Sequence, residues 1–301
     1  MVPVLCFNLH NILSKNELIS GGKMLTESQV NEYVSNGYLV LPDFVADDTI
    51  LGMKARADEI VRDFNPETIS IFSTKDQTTK TDDYFLASSD KVCCFFEQGA
   101  FDEEGALQKP KEMSINKIGH ALHDLVPEFR DWTRSDKVQA ILRCLKYKMP
   151  LPVQSMYIFK QPGIGGEVRP HQDSTFLATD PDSVIGLWIA LEDATLENGC
   201  LWACAGSHVD GTHVRFVRSG NTVSFQGEMP EIDKRNCTPI VVRKGTLVLL
   251  HGSVIHYSEE NLSGKSRHAF SVHIVEGTNC YLETNWLQRS PSFPFIPLYN
   301  S

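Results

Sequence analysis

At 301 residues and 42% hydrophobic content, the chain is long enough for one large β domain with helical additions and an enclosed pocket. A formal net charge of -10 withholds the broad basic field that phosphate backbones and anionic lipid surfaces attract, so nucleic acid is not expected as a partner. No segment approaches the ~20 consecutive apolar residues of a membrane span.

Residues 1–23 are expected to form an N-terminal extension, because Gly21-Gly22 breaks the chain before a helix signal and Met24 offers an alternative start. Residues 24–301 then make a single domain. Thr26-x-x-Gln29 resembles a capping box opening a helix through Val30, Tyr33 and Val34, which Gly37 ends before the strand-like YLVL. A second helix begins at Asp47 and Asp48 and sets Ile50, Ala57, Ile60, Val61 and Phe64 on one apolar face before Pro66. The polar stretch from Asn65 to about Met113 reads as loop with one or two short strands around Cys93 to Phe96. IGHALHDLV and SDKVQAILRCL both carry helical periodicity, the second with Ser135 as N-cap.

After Pro150 the texture changes. VQSMYIF, SVIGLWIAL, CLWAC, PIVV, GTLVLL and HAFSVHIV are short β-branched or aromatic runs separated by turn residues, which predicts a β-sandwich or jelly roll. The eight cysteines show no CxxC pair and no framework spacing, so reduced, mostly buried thiols are expected. The N-terminus has neither signal-peptide nor transit-peptide character, which leaves the cytoplasm as the expected compartment and a monomer as the expected state.

His171-Gln172-Asp173 sets an imidazole and a carboxylate on the same side of an extended chain, since side chains alternate with a period of two. So short a motif is more often a solvated surface pair. It points to a metal only if a third donor converges, and LLHGSVIHYSEENLSGKSRHAFSVHIV offers candidates more than eighty residues later. Its two extended arms flank a polar turn from Asn261 to Gly264 and are expected to pair as a hairpin, with Arg267 nearly opposite Ser258 and close to His256. On that register His256, rather than His251 at a strand end, is the third ligand. Two histidines and one carboxylate occupy one face of an octahedral iron(II) and leave three positions for exogenous ligands. A 2-oxo acid needs, in addition, a planar cation for its far carboxylate, which Arg267 offers with the Ser258 hydroxyl.

The remaining histidines, His208, His213, His268 and His273, are expected to be structural or surface residues. By position alone Trp188 belongs to the core, Lys117 to the surface of a helix start, and Asn261 to the turn.

HQD, the distant HYSEEN and Arg267 eleven residues after His256 resemble the phytanoyl-CoA dioxygenase family. NKIGHALH, QSMYIFKQP, LWIALEDATLENGCLW and NWLQ extend the likeness from about Leu25 to the C-terminus and resemble a branch distinct from the peroxisomal hydroxylase. The resemblance implies a double-stranded β-helix, a mainly β, cupin-like jelly roll with flanking helices. It implies iron ligation by His171, Asp173 and His256. It also implies 2-oxoglutarate contacts from Lys117, Met156, Trp188, Ser258 and Arg267. The activity implied is an Fe(II)-, 2-oxoglutarate- and O2-dependent hydroxylation of a small-molecule or lipid-like substrate with release of succinate and CO2. Relatives that halogenate carry a small residue in place of the carboxylate, so Asp173 favours hydroxylation. A catalytically silent 2-oxoglutarate or lipid binding protein, and a zinc or manganese enzyme without a 2-oxo acid, are the alternatives.

Overall fold

A computed structural model describes residues 24–66, 69–74 and 81–300; the expected extension at 1–23 lies outside the described residues. Helix α1 (Glu27–Asn36) opens on the expected capping box, with both Thr26 and Gln29 reciprocating, and stops at Gly37, whose φ of 78° suits the left-handed C-cap. Helix α2 (Asp47–Asp63) buries Ile50, Met53, Ala57 and Val61. Short helices α3 (Asp83–Leu86) and α4 (Leu122–Leu125) precede α5 (Pro127–Thr133) and α6 (Asp136–Cys144). Ser135 sits at the N-cap of α6 but makes no side-chain capping bond.

Eight strands form one sheet. In chain order they are β1 (Tyr38–Leu41), β2 (Ile71–Phe72), β3 (Val92–Glu97), β4 (Ile115–His120), β5 (Pro150–Ile158), β8 (Ile185–Ala190), β13 (Leu247–His251) and β15 (Ala269–Glu276). Their order across the sheet is β1-β13-β8-β15-β5-β4-β3-β2. A second sheet, β12-β9-β14-β6, is built from β6 (Val168–His171), β9 (Leu201–Ala203), β12 (Thr238–Ile240) and β14 (His256–Ser258). Two-stranded pairs β10 (Val214–Ser219) with β11 (Thr222–Gly227), and β7 (Thr179–Asp180) with β16 (Cys280–Tyr281), complete the set.

Strand alternation divides the large sheet into two environments. Ile185, Leu187 and Ile189 of β8 and Phe270, Val272 and Ile274 of β15 pack into one core with α1, α2, α5 and α6. The intervening residues face the other way. Trp188 and Ala190 of β8, Val248 and Leu250 of β13, and Ala269 join Leu201, Ala203 and Ile240 of the smaller sheet in a separate cluster. That cluster is the seam between two face-to-face sheets, antiparallel but for the β2–β3 pair, which is the jelly roll. Polar side chains along the same faces are where a site can form.

Three expectations are corrected. IGHALHDLV is not one helix: Ile118 to His120 belong to β4, and the helix starts only at Leu122. The reason is that β4 lies between β3 and β5, and those neighbours satisfy its backbone on both edges. The arms around Asn261 do not pair as a hairpin. β14 pairs with β6 and β9, whereas β15 pairs with β5 and β8, so the turn carries the chain from one sheet to the other. Finally, Cys204 and Cys237 form a disulfide. Thr238 faces Ala203 in the antiparallel pair of β12 and β9, so the next residues out are cross-strand neighbours, a proximity that spacing in sequence does not show. Cys93, Cys94, Cys144, Cys200 and Cys280 are free thiols. Among the described residues no helix is long and apolar enough to cross a membrane.

Candidate active site

The two sheets enclose a cavity of about 690 Å³. On the smaller sheet His256 is the antiparallel partner of His171, and their rings lie 4.3 Å apart between centroids. The side chain of Gln172 is anchored separately: its amide donates to Gly211 O and Ser253 O, and its carbonyl accepts from His213 N. That anchor leaves the residues on either side of it to converge. Asp173 follows at the start of a 3-10 turn, and its Oδ1 is 3.6 Å from both His171 Nε2 and His256 Nε2.

Each imidazole is oriented by its far nitrogen. His171 Nδ1 lies 2.8 Å from Arg169 O and His256 Nδ1 lies 3.0 Å from Val254 O, so a proton on Nδ1 serves the carbonyl and Nε2 keeps its lone pair. Burial, then the adjacent His171, pushes the pKa of His256 down to about 4. Its ring is therefore neutral near pH 7. The three donor atoms lie within 4.8 Å of one another and could hold a metal ion. Two imidazoles and one carboxylate fit iron(II) with open positions better than a closed four-ligand zinc site.

Asp173 approaches this closely because Gly186 lies beneath it: a Cβ there would stand 3.0 Å from Oδ2. The same Oδ2 has His273 Nε2 at 3.2 Å. His273, expected to be a structural or surface residue, is buried and lines the cavity. The signal for it was present in A-F-S-V-H-I-V, where Ala269, Ser271 and His273 alternate with Phe270, Val272 and Ile274. Replacing His273 with Leu is expected to weaken iron binding about 10- to 100-fold, the usual effect of removing a partner that orients a ligand. Titration against a metal chelator checks this, and unchanged affinity would show that Asp173 needs no such support.

The large sheet forms the opposite wall in registered rows. Met156 faces Ser271, which faces Trp188, while Lys117 faces Ile158 one row away. Lys117 is buried in a strand, against the expectation of a helix-start surface residue. Its ammonium lies 3.5 Å from the centre of the Phe72 ring and 3.7 Å from Met156 Sδ. Burial alone lowers its pKa to about 7.

Arg267 enters from the segment that crosses between sheets, with its guanidinium 5.4 Å from the centre of the Trp188 ring. Its Nε donates to Gly199 O, whereas Nη1 is buried without a protein partner. Burial lowers its pKa to about 10, so it stays charged near pH 7. Ser258 Oγ accepts from Lys160, a buried lysine that sequence reasoning overlooked. All eight residues singled out by the resemblance thus line one cavity. His251 lies elsewhere, its Nδ1 accepting from Ser253 N and its ring beside Tyr33 and His208. Asn261 is buried in its turn, with its amide on Lys160 O and Lys265 O.

The model of the family described as phytanoyl-CoA dioxygenase matches residues 33–269. The chain is 49% identical to the phytanoyl-CoA dioxygenase of Arabidopsis thaliana, over 88% of this chain and 94% of that one. It is also 49% identical to phytanoyl-CoA dioxygenase domain-containing protein 1 of Mus musculus, over 92% and 99%. Among solved structures, the non-heme alpha ketoglutarate dependent carbocyclase SnoK from nogalamycin biosynthesis shares the fold at a TM-score of 0.59 and 19% identity, over 90% of this chain and 96% of that one. With the family model covering most of its length and relatives near half identical almost end to end, the chain belongs to the phytanoyl-CoA dioxygenase family and is an iron(II)- and 2-oxoglutarate-dependent dioxygenase.

Proposed function

We propose that this dioxygenase hydroxylates a small, lipid-like substrate, with His171, Asp173 and His256 holding the iron and Arg267 holding the far carboxylate of 2-oxoglutarate. One observation carries the reading: the three converging donors and the guanidinium of Arg267, with its unpartnered Nη1, line the same cavity. Iron(II), when bound, supplies the redox chemistry that couples O2 to oxidation of the 2-oxo acid and of the substrate.

The chain's own residues position and exclude. Carbonyl-anchored His171 and His256 and the carboxylate of Asp173 present preset donors, so little rearrangement is needed when metal enters. Trp188, Met156 and Lys117 wall the 2-oxoglutarate side. On the substrate side an aromatic path leads away from the site: the ring of His171 is 6.2 Å from Phe176, which is 6.3 Å from the exposed Phe225 on β11. Phe72, Phe85 and Trp286 add further apolar wall. Such a lining suits hydrocarbon and keeps water from the reacting centre. Among the described residues of the lining Arg169 is the exposed cation, and it stands 3.5 Å from Glu167. That supports a compact apolar substrate over a CoA thioester, whose phosphates call for a cluster of cations.

Purified iron-loaded protein supplied with 2-oxoglutarate and O2 is expected to release succinate and CO2, faster when an accepted substrate is added. A panel of uncharged lipids, fatty acids and acyl-CoA thioesters, read by stimulated decarboxylation and by mass shift of the product, identifies the class. Absence of succinate with every addition, despite bound iron and 2-oxoglutarate, would sink the catalytic reading.

A further inference from the structure

We propose that Lys160 determines co-substrate specificity: with Arg267 and Ser258 it forms a two-cation seat that accepts a 2-oxo dicarboxylic acid and disfavours 2-oxo monocarboxylic acids. The proposal rests on the co-substrate reading above and adds a residue and a selectivity to it.

Lys160 follows β5, two residues past its end, lines the cavity and is only 2% exposed. Of its three ammonium hydrogens, one goes to Gly166 O at 2.6 Å and one to Ser258 Oγ at 2.9 Å. Because Ser258 Oγ accepts from Lys160, the hydroxyl hydrogen is left to donate elsewhere. Lys160 therefore sets the direction in which Ser258 can donate. With Nη1 of Arg267 also unpartnered, three kinds of donor meet at this end of the cavity with no acceptor assigned. A carboxylate supplies two oxygens and about four lone-pair directions.

The charge balance points the same way. Two buried cations, Lys160 and Arg267, are set against one buried acid, Glu97, whose Oε2 accepts from the N–H of the same Gly166. Burial pushes the Glu97 carboxyl up, and burial together with Arg267 pulls Lys160 down to about 7. Among its buried groups the seat is thus short of negative charge; Glu259 and Glu260 act on Lys160, and Glu192 on Arg267, from less buried positions. A ligand's far carboxylate restores the balance, whereas a monocarboxylic acid leaves Glu97 as the one buried acid for two buried cations.

The backbone is shaped to hold Lys160 here. Its φ of 42° is unusual for a residue with a side chain, and its carbonyl is fixed by Asn261 Nδ2 at 2.8 Å and Arg267 N at 3.3 Å. Gly199 gives passage to its stem, since a Cβ there would stand 2.7 Å from Lys160 Cε.

Anaerobic calorimetric titration of 2-oxoglutarate into iron(II)-loaded protein reads the seat without turnover. Lys160→Met keeps length and bulk; Lys160→Gln keeps a donor but no charge. Each is expected to raise the Kd for 2-oxoglutarate at least tenfold, to change the Kd for 2-oxobutyrate less than threefold, and to leave iron content unchanged. Thermal unfolding without ligand shows which variants are folded, and either one suffices. An equal loss for both acids, or no loss for 2-oxoglutarate, overturns the proposal. Arg267→Ala separates the two layers. If it leaves 2-oxoglutarate affinity intact, the co-substrate reading fails; if it weakens affinity while Lys160 variants do not, only the role of the lysine fails.

Discussion

Asp173→Ala is expected to remove iron binding and turnover together, while leaving the fold in place. Its Oδ1 is the atom toward which both histidine Nε2 atoms point, at 3.6 Å each, so its loss takes away the one anionic donor of the set. Two neutral imidazoles hold iron(II) far less well than two imidazoles and a carboxylate. The fall in affinity should exceed the roughly 100-fold that marks the upper end for losing a mere supporting partner. Folding should tolerate the change because His256 is kept neutral by burial and needs no counter-charge. The room created lies beside Gly186, where the backbone already admits no side chain. Metal analysis after iron loading, with thermal unfolding of the metal-free protein, checks both halves. Retained stoichiometric iron would mean that Asp173 is not a ligand. Asp173→Asn should fall between, because it keeps the shape and one oxygen but not the charge.

How much of this site was legible in the sequence differs from residue to residue. The H-x-D pair could be read because strand parity is local: Gln172 turns away and its neighbours turn together, whatever the rest of the chain does. The pairing of His256 with His171 is non-local, and the hairpin expected to bring His256 into place does not form. His256 and Arg267 line one cavity because the crossover between β14 and β15 carries the chain from the small sheet to the large one. Segment periodicity located most strands after Pro150 but had no means of assigning them to sheets. The β10–β11 hairpin went unread, although Gly220 and Asn221 mark its turn, because its exposed strand lacks the apolar run that announced the others. Lys117 shows the limit on the other side. A lysine in a short apolar stretch looks like a surface residue, and only the registered neighbours Phe95 and Ile158 reveal that it lies within a sheet and under a cavity. Lys160 gave no local sign at all, since its environment is assembled from Gly166, Gly199, Ser258 and Asn261.

Arg267→Leu should separate stability from function, with effects of opposite sign. In the protein without ligand, Arg267 is a buried cation whose Nη1 has no partner and whose pKa burial lowers to about 10, both marks of a charge that its neighbours compensate only in part. Replacing such a group by an apolar side chain removes its desolvation cost; replacements of similar volume are neutral or stabilising by about 1–4 kcal/mol, and the shorter leucine sets the gain toward the lower end. It also relieves Lys160, whose own pKa is depressed by burial and then by this guanidinium. The midpoint of thermal unfolding without 2-oxoglutarate should therefore hold or rise. Binding should move the other way, because the variant leaves the far carboxylate of the co-substrate facing leucine. Breaking a buried charge-assisted contact of this kind costs about 2–4 kcal/mol, or roughly thirty- to seven-hundredfold in Kd. The thermal shift that 2-oxoglutarate gives the wild type should disappear at concentrations that saturate it. A variant that loses stability while keeping its affinity would show that the arginine serves the fold and that the carboxylate is seated elsewhere.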